Sequence, residues 1–109
     1  MLALTFQIGD EKLAIDIRRV REVVPRVRLL RVSGNPHWQA GVFVYRGEVV
    51  PVIDLHRLAG AEPCPPHLSS RIILIAARRG ESEERLVGLL ASQVADTREL
   101  PAQERPIPS

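Results

Sequence analysis

One cysteine in 109 residues, Cys64, leaves this chain no internal disulfide and no multi-cysteine zinc site. A single thiol points to a reduced, cytoplasmic setting. No apolar run approaches the roughly 20 residues of a membrane-spanning helix. No charged-then-apolar leader with a small-residue cleavage site opens the chain, so neither secretion nor membrane insertion is expected. A strong charge of one sign is also missing. Fifteen Lys and Arg against 13 Asp and Glu give +2, too small an excess to identify a nucleic-acid partner. Aromatic residues are only 4% of the chain, so Val, Ile and Leu carry the apolar content.

The arrangement of those residues is informative. Nine prolines and seven glycines punctuate the chain, and β-branched runs lie between them. Such spacing favours many short strands over long helices. Leu2, Leu4, Phe6 and Ile8 alternate with smaller or polar residues, and so do Leu13, Ile15 and Ile17 after a turn at 9–12. Residues 2–17 are therefore expected as a hairpin. Ile17, Val20, Val23 and Val24 are then spaced like one face of a short helix, which Pro25 ends. Residues 27–32 read as a strand and 33–36 as a loop. Residues 40–45 and 48–55 form a second hairpin across Arg46-Gly47, with Pro51 expected at an edge or bulge. A short helical turn follows at 56–60, then an exposed Pro-rich loop at 62–66. Residues 71–77 and 86–91 make a third strand pair across a charged connection at 78–85. The run Ile72-Ile73-Leu74-Ile75 implies a strand covered on both faces. Residues 92–100 are polar and without a clear period, and 101–109 read as a Pro-rich tail. About seven short strands make an all-β domain, built as one small barrel or as two packed barrels.

No constellation for catalysis stands out. Cys64 reads as a surface thiol between prolines, and Ser33, Ser69 and Ser70 have no base spaced beside them. His37, His56 and His67 lack metal-ligand spacing. Asp54 and His56, two apart, read as a solvated strand end rather than an acid–base pair. Gly41 and Gly47 are isolated, so there is no phosphate-binding loop. Neither cofactor nor metal is expected. Arg18, Arg19, Arg21, Arg26, Arg28 and Arg31 crowd one region, and an Arg-rich small β-barrel binding nucleic acid is the alternative reading. Glu22 interrupts that run and no aromatic side chain lies within it, which favours a solvated, charge-mixed surface. Protein recognition remains, through strand edges and the valley between two small barrels, where strands or amphipathic helices dock.

The block from Gly41 to Leu55, with Arg46-Gly47 and then Pro51-Val52-Ile53-Asp54-Leu55, resembles the CheW family of chemotaxis coupling proteins. Phe6 to Ile17, with Gly9-Asp10-Glu11 inside, resembles the family's opening hairpin. Val20-Arg21-Glu22-Val23 resembles its following helix, and Leu86-Val87-Gly88-Leu89-Leu90 with Val94 its late strand. The resemblance covers residues 2–100, taken as a CheW-like domain over 1–100. It implies two packed SH3-like barrels with short helices, the last strands missing. It also implies a cytoplasmic, non-catalytic adaptor that links methyl-accepting chemoreceptors to a CheA-type histidine kinase.

By the same resemblance, Val20, Glu22, Val23, Gly41 and Arg46 match positions near partner-binding surfaces. Arg46, at a strand-end turn, offers a planar fork of donors suited to a carboxylate. It either pins its own hairpin or meets a partner. Gly41 is equally a packing glycine or a contact, and Val20 and Val23 equally core or interface. Missing late strands would leave an edge unpaired and uncover Leu74, Ile75, Leu89 and Leu90. A dimer or larger assembly, with strands possible to exchange between copies, is the expected repair.

Overall fold

The alternation that opens the chain does form a hairpin. In the computed structural model, which describes residues 1–66, 69–79, 83–95 and 97–101, β1 (Leu2–Ile8) pairs antiparallel with β2 (Glu11–Asp16). Leu4 stands opposite Ile15 and Phe6 opposite Leu13, which gathers the apolar side chains of both strands on one face. A single 3-10 turn (Ile17–Arg19) leads out of the hairpin, with the Asp16 carboxylate accepting from the Arg18 N–H.

The helix expected from Ile17 to Pro25 is instead a strand, β3 (Val20–Pro25). It pairs with β6 (Arg71–Arg79), and its register slips where Val20 faces Ile75 but Glu22 already faces Leu74. Arg21 is the extra residue of a β-bulge. One inserted residue turns a period of two into a spacing of three. Val20 and Val23 therefore share a face while Val24 enters the other core. That spacing is the one a helix would show.

Residues 27–32 do not form the expected strand. The Arg26 guanidinium donates to the carbonyls of Cys64 and Pro65, tying the start of the segment to that loop. A single bridge remains, Leu30 with Val42, through two backbone hydrogen bonds of 2.8 and 2.9 Å.

The second hairpin joins β4 (Gln39–Tyr45) to β5 (Glu48–Asp54), and α1 (Leu55–Leu58) follows. Pro51 lies on an interior strand rather than at an edge. It faces Val42, whose N–H and C=O are spent on Leu30, so the Pro51 nitrogen points toward β7. There the parallel β5–β7 ladder starts only at Val52, and the missing N–H costs no ladder bond. β6 and β7 (Glu83–Ala91) form the third pair. β8 (Thr97–Glu99) adds to β1, so part of the polar stretch 92–100 is a strand.

The result is all-β: a five-stranded sheet in the order β3-β6-β7-β5-β4 and a three-stranded sheet in the order β2-β1-β8. The five-stranded sheet curls so that β3 and β4, its two ends, share one core. Val24 packs there with Val50, Val52, Ile72, Leu74 and Leu90, and Phe43 and Tyr45 close over them. The three-stranded sheet covers the outer face of β6 and β7, burying Leu4, Phe6, Ile73 and Ala91. β6 is therefore covered on both sides, as its unbroken apolar run predicts, with Ile72, Ile73 and Leu74 fully buried.

Two expectations need correction. Leu74 and Leu90 are not uncovered, because they point into the curled sheet, and Ile75 and Leu89 are half-buried against the smaller sheet. The loop at 62–66 is not exposed throughout. Cys64 is 2% exposed because Asp54 accepts its N–H at 3.0 Å and its side chain joins the larger core. The charged connection 78–85 lies partly outside the described residues, and so does all of the Pro-rich tail beyond Pro101.

Candidate partner-binding surface

At the tip of the β4–β5 hairpin, Arg46 and Gly47 both have positive φ, 49° and 79°. Two such residues make the tight turn whose twist suits adjoining strands. Glycine adopts that conformation freely, whereas arginine there is strained. Two contacts hold Arg46 in place. Its guanidinium lies 5.2 Å from the centre of the Tyr45 ring, and its Nη2 is 3.5 Å from Glu22 Oε1. Burial, and then the neighbouring Glu22 carboxylate, raises the Tyr45 pKa. The two ends of the curled sheet therefore meet in a cluster of Glu22, Tyr45 and Arg46. The Arg46 side chain remains 77% exposed, which leaves most of its donors facing solvent.

Val20 and Val23 lie elsewhere. Both are half-buried and face the space between the two sheets. Val23 lines a valley of 610 Å³ there, with Leu4 and Thr97 from the smaller sheet, Ile17, Arg71 and the Val94-Ala95 segment. Gly41 is buried at a register shift in β4, with φ at 147°. A Cβ there would sit 2.6 Å from the Leu30 carbonyl oxygen and 2.9 Å from Leu29 Cβ. Its structural role is close packing under the 29–30 segment. Of the five residues singled out in the sequence, Glu22 and Arg46 touch, Val20 and Val23 face a separate valley, and Gly41 sits beneath neither.

The groups considered for catalysis are structural. Asp54 is not a solvated strand end: it is 3% exposed and accepts from the backbone N–H groups of His56, Arg57 and Cys64. His56, also buried, accepts from the Gly9 N–H at Nδ1 (3.3 Å), which puts the ring proton on Nε2 to donate to Ser92 Oγ at 3.1 Å. Burial raises the Cys64 pKa, opposite to what a reactive thiolate needs. Among the described residues no three His, Cys, Asp or Glu side chains converge as metal ligands. His67 lies outside the described residues. No helix of the described residues is long and apolar enough to cross a membrane.

The arginine-rich stretch does not form one stripe. Arg18 pairs with Asp16, Arg21 with Glu84, and Arg26 is spent on backbone carbonyls.

The family model for the CheW-like domain matches residues 2–105. The chain is 33% identical over 93 residues to a probable chemotaxis protein CheW of Rhizobium etli, a match that takes in 85% of this chain and 57% of that protein. It is 30% identical over 106 residues to the chemotaxis protein CheW of Klebsiella aerogenes, covering 96% of this chain and 61% of the other. Among solved structures, the scaffolding protein TtCheW from Thermoanaerobacter tengcongensis superposes with a TM-score of 0.81 at 27% identity, over 93% of this chain and 62% of that one. The chain thus spans less than two thirds of the length of each of these proteins.

Proposed function

The chain belongs to the CheW-like domain family, and on that premise we propose that it is a non-catalytic adaptor coupling methyl-accepting chemoreceptors to a CheA-type histidine kinase. The observation that carries this reading is the spatial separation of two surfaces suited to protein partners. The valley between the sheets has Val23, Leu4, Ile17 and Val94 along it beside the polar Arg71 and Thr97, a mixed lining against which an amphipathic helix can lay its apolar face. We assign the receptor's helical tip to it, with Val23 on its β3 wall and Val20 in the adjoining core. The Glu22–Tyr45–Arg46 cluster, at the closing seam of the larger sheet, presents an exposed guanidinium fork suited to a carboxylate of the kinase. Gly41 contributes indirectly, by letting the 29–30 segment lie against β4. Two separate surfaces let one small domain hold two partners at once, which is what coupling requires.

The test is binding of the purified chain to a receptor signalling-tip fragment and, separately, to the kinase's regulatory domain, followed by sedimentation of all three together. A ternary complex is expected. Failure to bind either partner overturns the adaptor reading.

A further inference from the structure

β6 is apolar on both faces and both are covered, but β4 and β5 are apolar on both faces and only one is. Phe43, Val50 and Val52 point into the larger core, whereas Val44 is 69% exposed and Val49 60% exposed. Leu30, 74% exposed, and Val27 lie alongside, and together these residues wall a groove of 440 Å³. The groove shares no lining residue with the valley between the sheets.

The groove is bounded by an unfinished strand edge. Val42 turns its N–H and C=O outward to Leu30, and alternation turns those of Val44 to the same side. Arg28 would be the next residue along, but among the described residues no backbone group pairs with Val44 there. The ladder between 27–30 and β4 stops after one bridge and leaves one open donor and one open acceptor beside apolar walls.

The charged residue of the groove's lining is an arginine. Arg28 is part of its lining and has no carboxylate within ion-pair distance among the described residues. Glu48, next to Val49, accepts the Leu86 N–H at 3.1 Å.

We infer that this groove receives an extended, acidic strand of a partner polypeptide, a docking site beyond the two surfaces assigned above. The strand's backbone completes the Val44 edge, its apolar side chains cover Leu30, Val44 and Val49, and a flanking carboxylate meets Arg28.

The test uses the full chain and a fluorescein-labelled peptide with a Leu-Val-Leu-Val centre flanked by glutamates, beside the same peptide flanked by lysines. Fluorescence anisotropy should show binding of the acidic peptide that weakens with added salt, and binding of the lysine peptide about tenfold weaker or worse. Val44→Glu and Arg28→Glu should each weaken the acidic peptide by about tenfold, with melting temperatures unchanged because both side chains are exposed. Should Val44→Glu fail to fold, Leu30→Glu at the opposite wall takes its place. No binding, equal binding of the two peptides, or wild-type binding by both variants overturns the proposal. So does self-association of the unliganded chain, in sedimentation, that Val44→Glu abolishes, since the groove would then belong to a second copy.

Discussion

Arg46 occupies a backbone conformation that arginine resists, and its two contacts are both at the surface. A pair held at 3.5 Å with a 77% exposed side chain contributes little to stability. Arg46→Ala is therefore expected to change unfolding free energy by under about 0.5 kcal/mol while weakening capture of the kinase's regulatory domain. Arg46→Gly, which relieves the strain and removes the same fork, should bind as poorly as Arg46→Ala while melting no lower than wild type. A large fall in melting temperature with unchanged binding would show that Arg46 only pins its hairpin. Asp16 is a residue-scale contributor with a pH signature. Its hydrogen bonds from the Arg18 guanidinium and N–H lower its pKa from the ordinary 3.8 to about 2. A depressed carboxylate stabilises the fold above its unfolded pKa, and that contribution is lost as pH falls toward 2. Asp16→Asn should flatten the dependence of melting temperature on pH between about 4 and 2 and leave it unchanged near neutrality. An unaltered acid limb would mean that the pair does not persist in solution.

The bulge in β3 and the Gly41 contact act at the level of elements. Gly41 lets the 29–30 segment lie against β4, and that contact forms one wall of the larger core, since Leu29 packs there. Gly41→Ala forces a Cβ against a backbone oxygen at 2.6 Å, and a backbone atom yields less readily than a side-chain end. With the positive φ, the substitution is expected to destabilise the protein by about 1–3 kcal/mol. Urea denaturation measures it. Loss of partner binding by this variant follows from displacement of the 27–30 segment rather than from a lost contact, so its amide exchange at Leu30 and Val42 should rise as well. Unchanged stability would mean the segment rides over β4 loosely.

At the scale of the whole molecule, the two sheets must be held in fixed relation for the valley between them to exist. His56 makes that tie. From α1 it accepts the Gly9 N–H at the β1–β2 turn, and it donates to Ser92 at the end of β7. Ser92 in turn exchanges backbone hydrogen bonds with Gln7 and donates its hydroxyl to the Gln7 carbonyl. His56→Phe keeps the volume but strands the Gly9 donor and removes the Ser92 bond. It is expected to cost about 1–3 kcal/mol and to weaken receptor-tip binding more than kinase binding, because only the valley spans both sheets. Equal losses for both partners would place the effect in global unfolding instead.

Local pattern determined much of this protein. Hairpins 1–2 and 4–5, the pairing of β6 with β7 and the doubly covered run at 72–75 all follow from alternation and from glycine and proline at the breaks, which act within a few residues. The block Arg46-Gly47 with Pro51 to Leu55, in order with the motifs at 6–17, 20–23 and 86–94, carried the family. What the chain could not disclose locally depends on partners distant in sequence. The bulge at Arg21 is defined only by the strand it faces, fifty residues later, and without it the β3 valines imitate a helix. Burial of Cys64, Asp54 and His56 depends on a loop folding over a core, so an apparently solvated stretch became the hinge of the hydrogen-bond network. The candidate site divides in the same way. Its residue types were readable one by one, but the pairing of Glu22 with Arg46, and the separation of both from Val20 and Val23, arise from the curling of a sheet whose first and last strands meet. The exposure of Val44 and Val49 has the same origin. In sequence they match the buried residues beside them, and only the tertiary placement of the smaller sheet over β6 and β7, leaving β4 and β5 bare, decides which apolar face meets water.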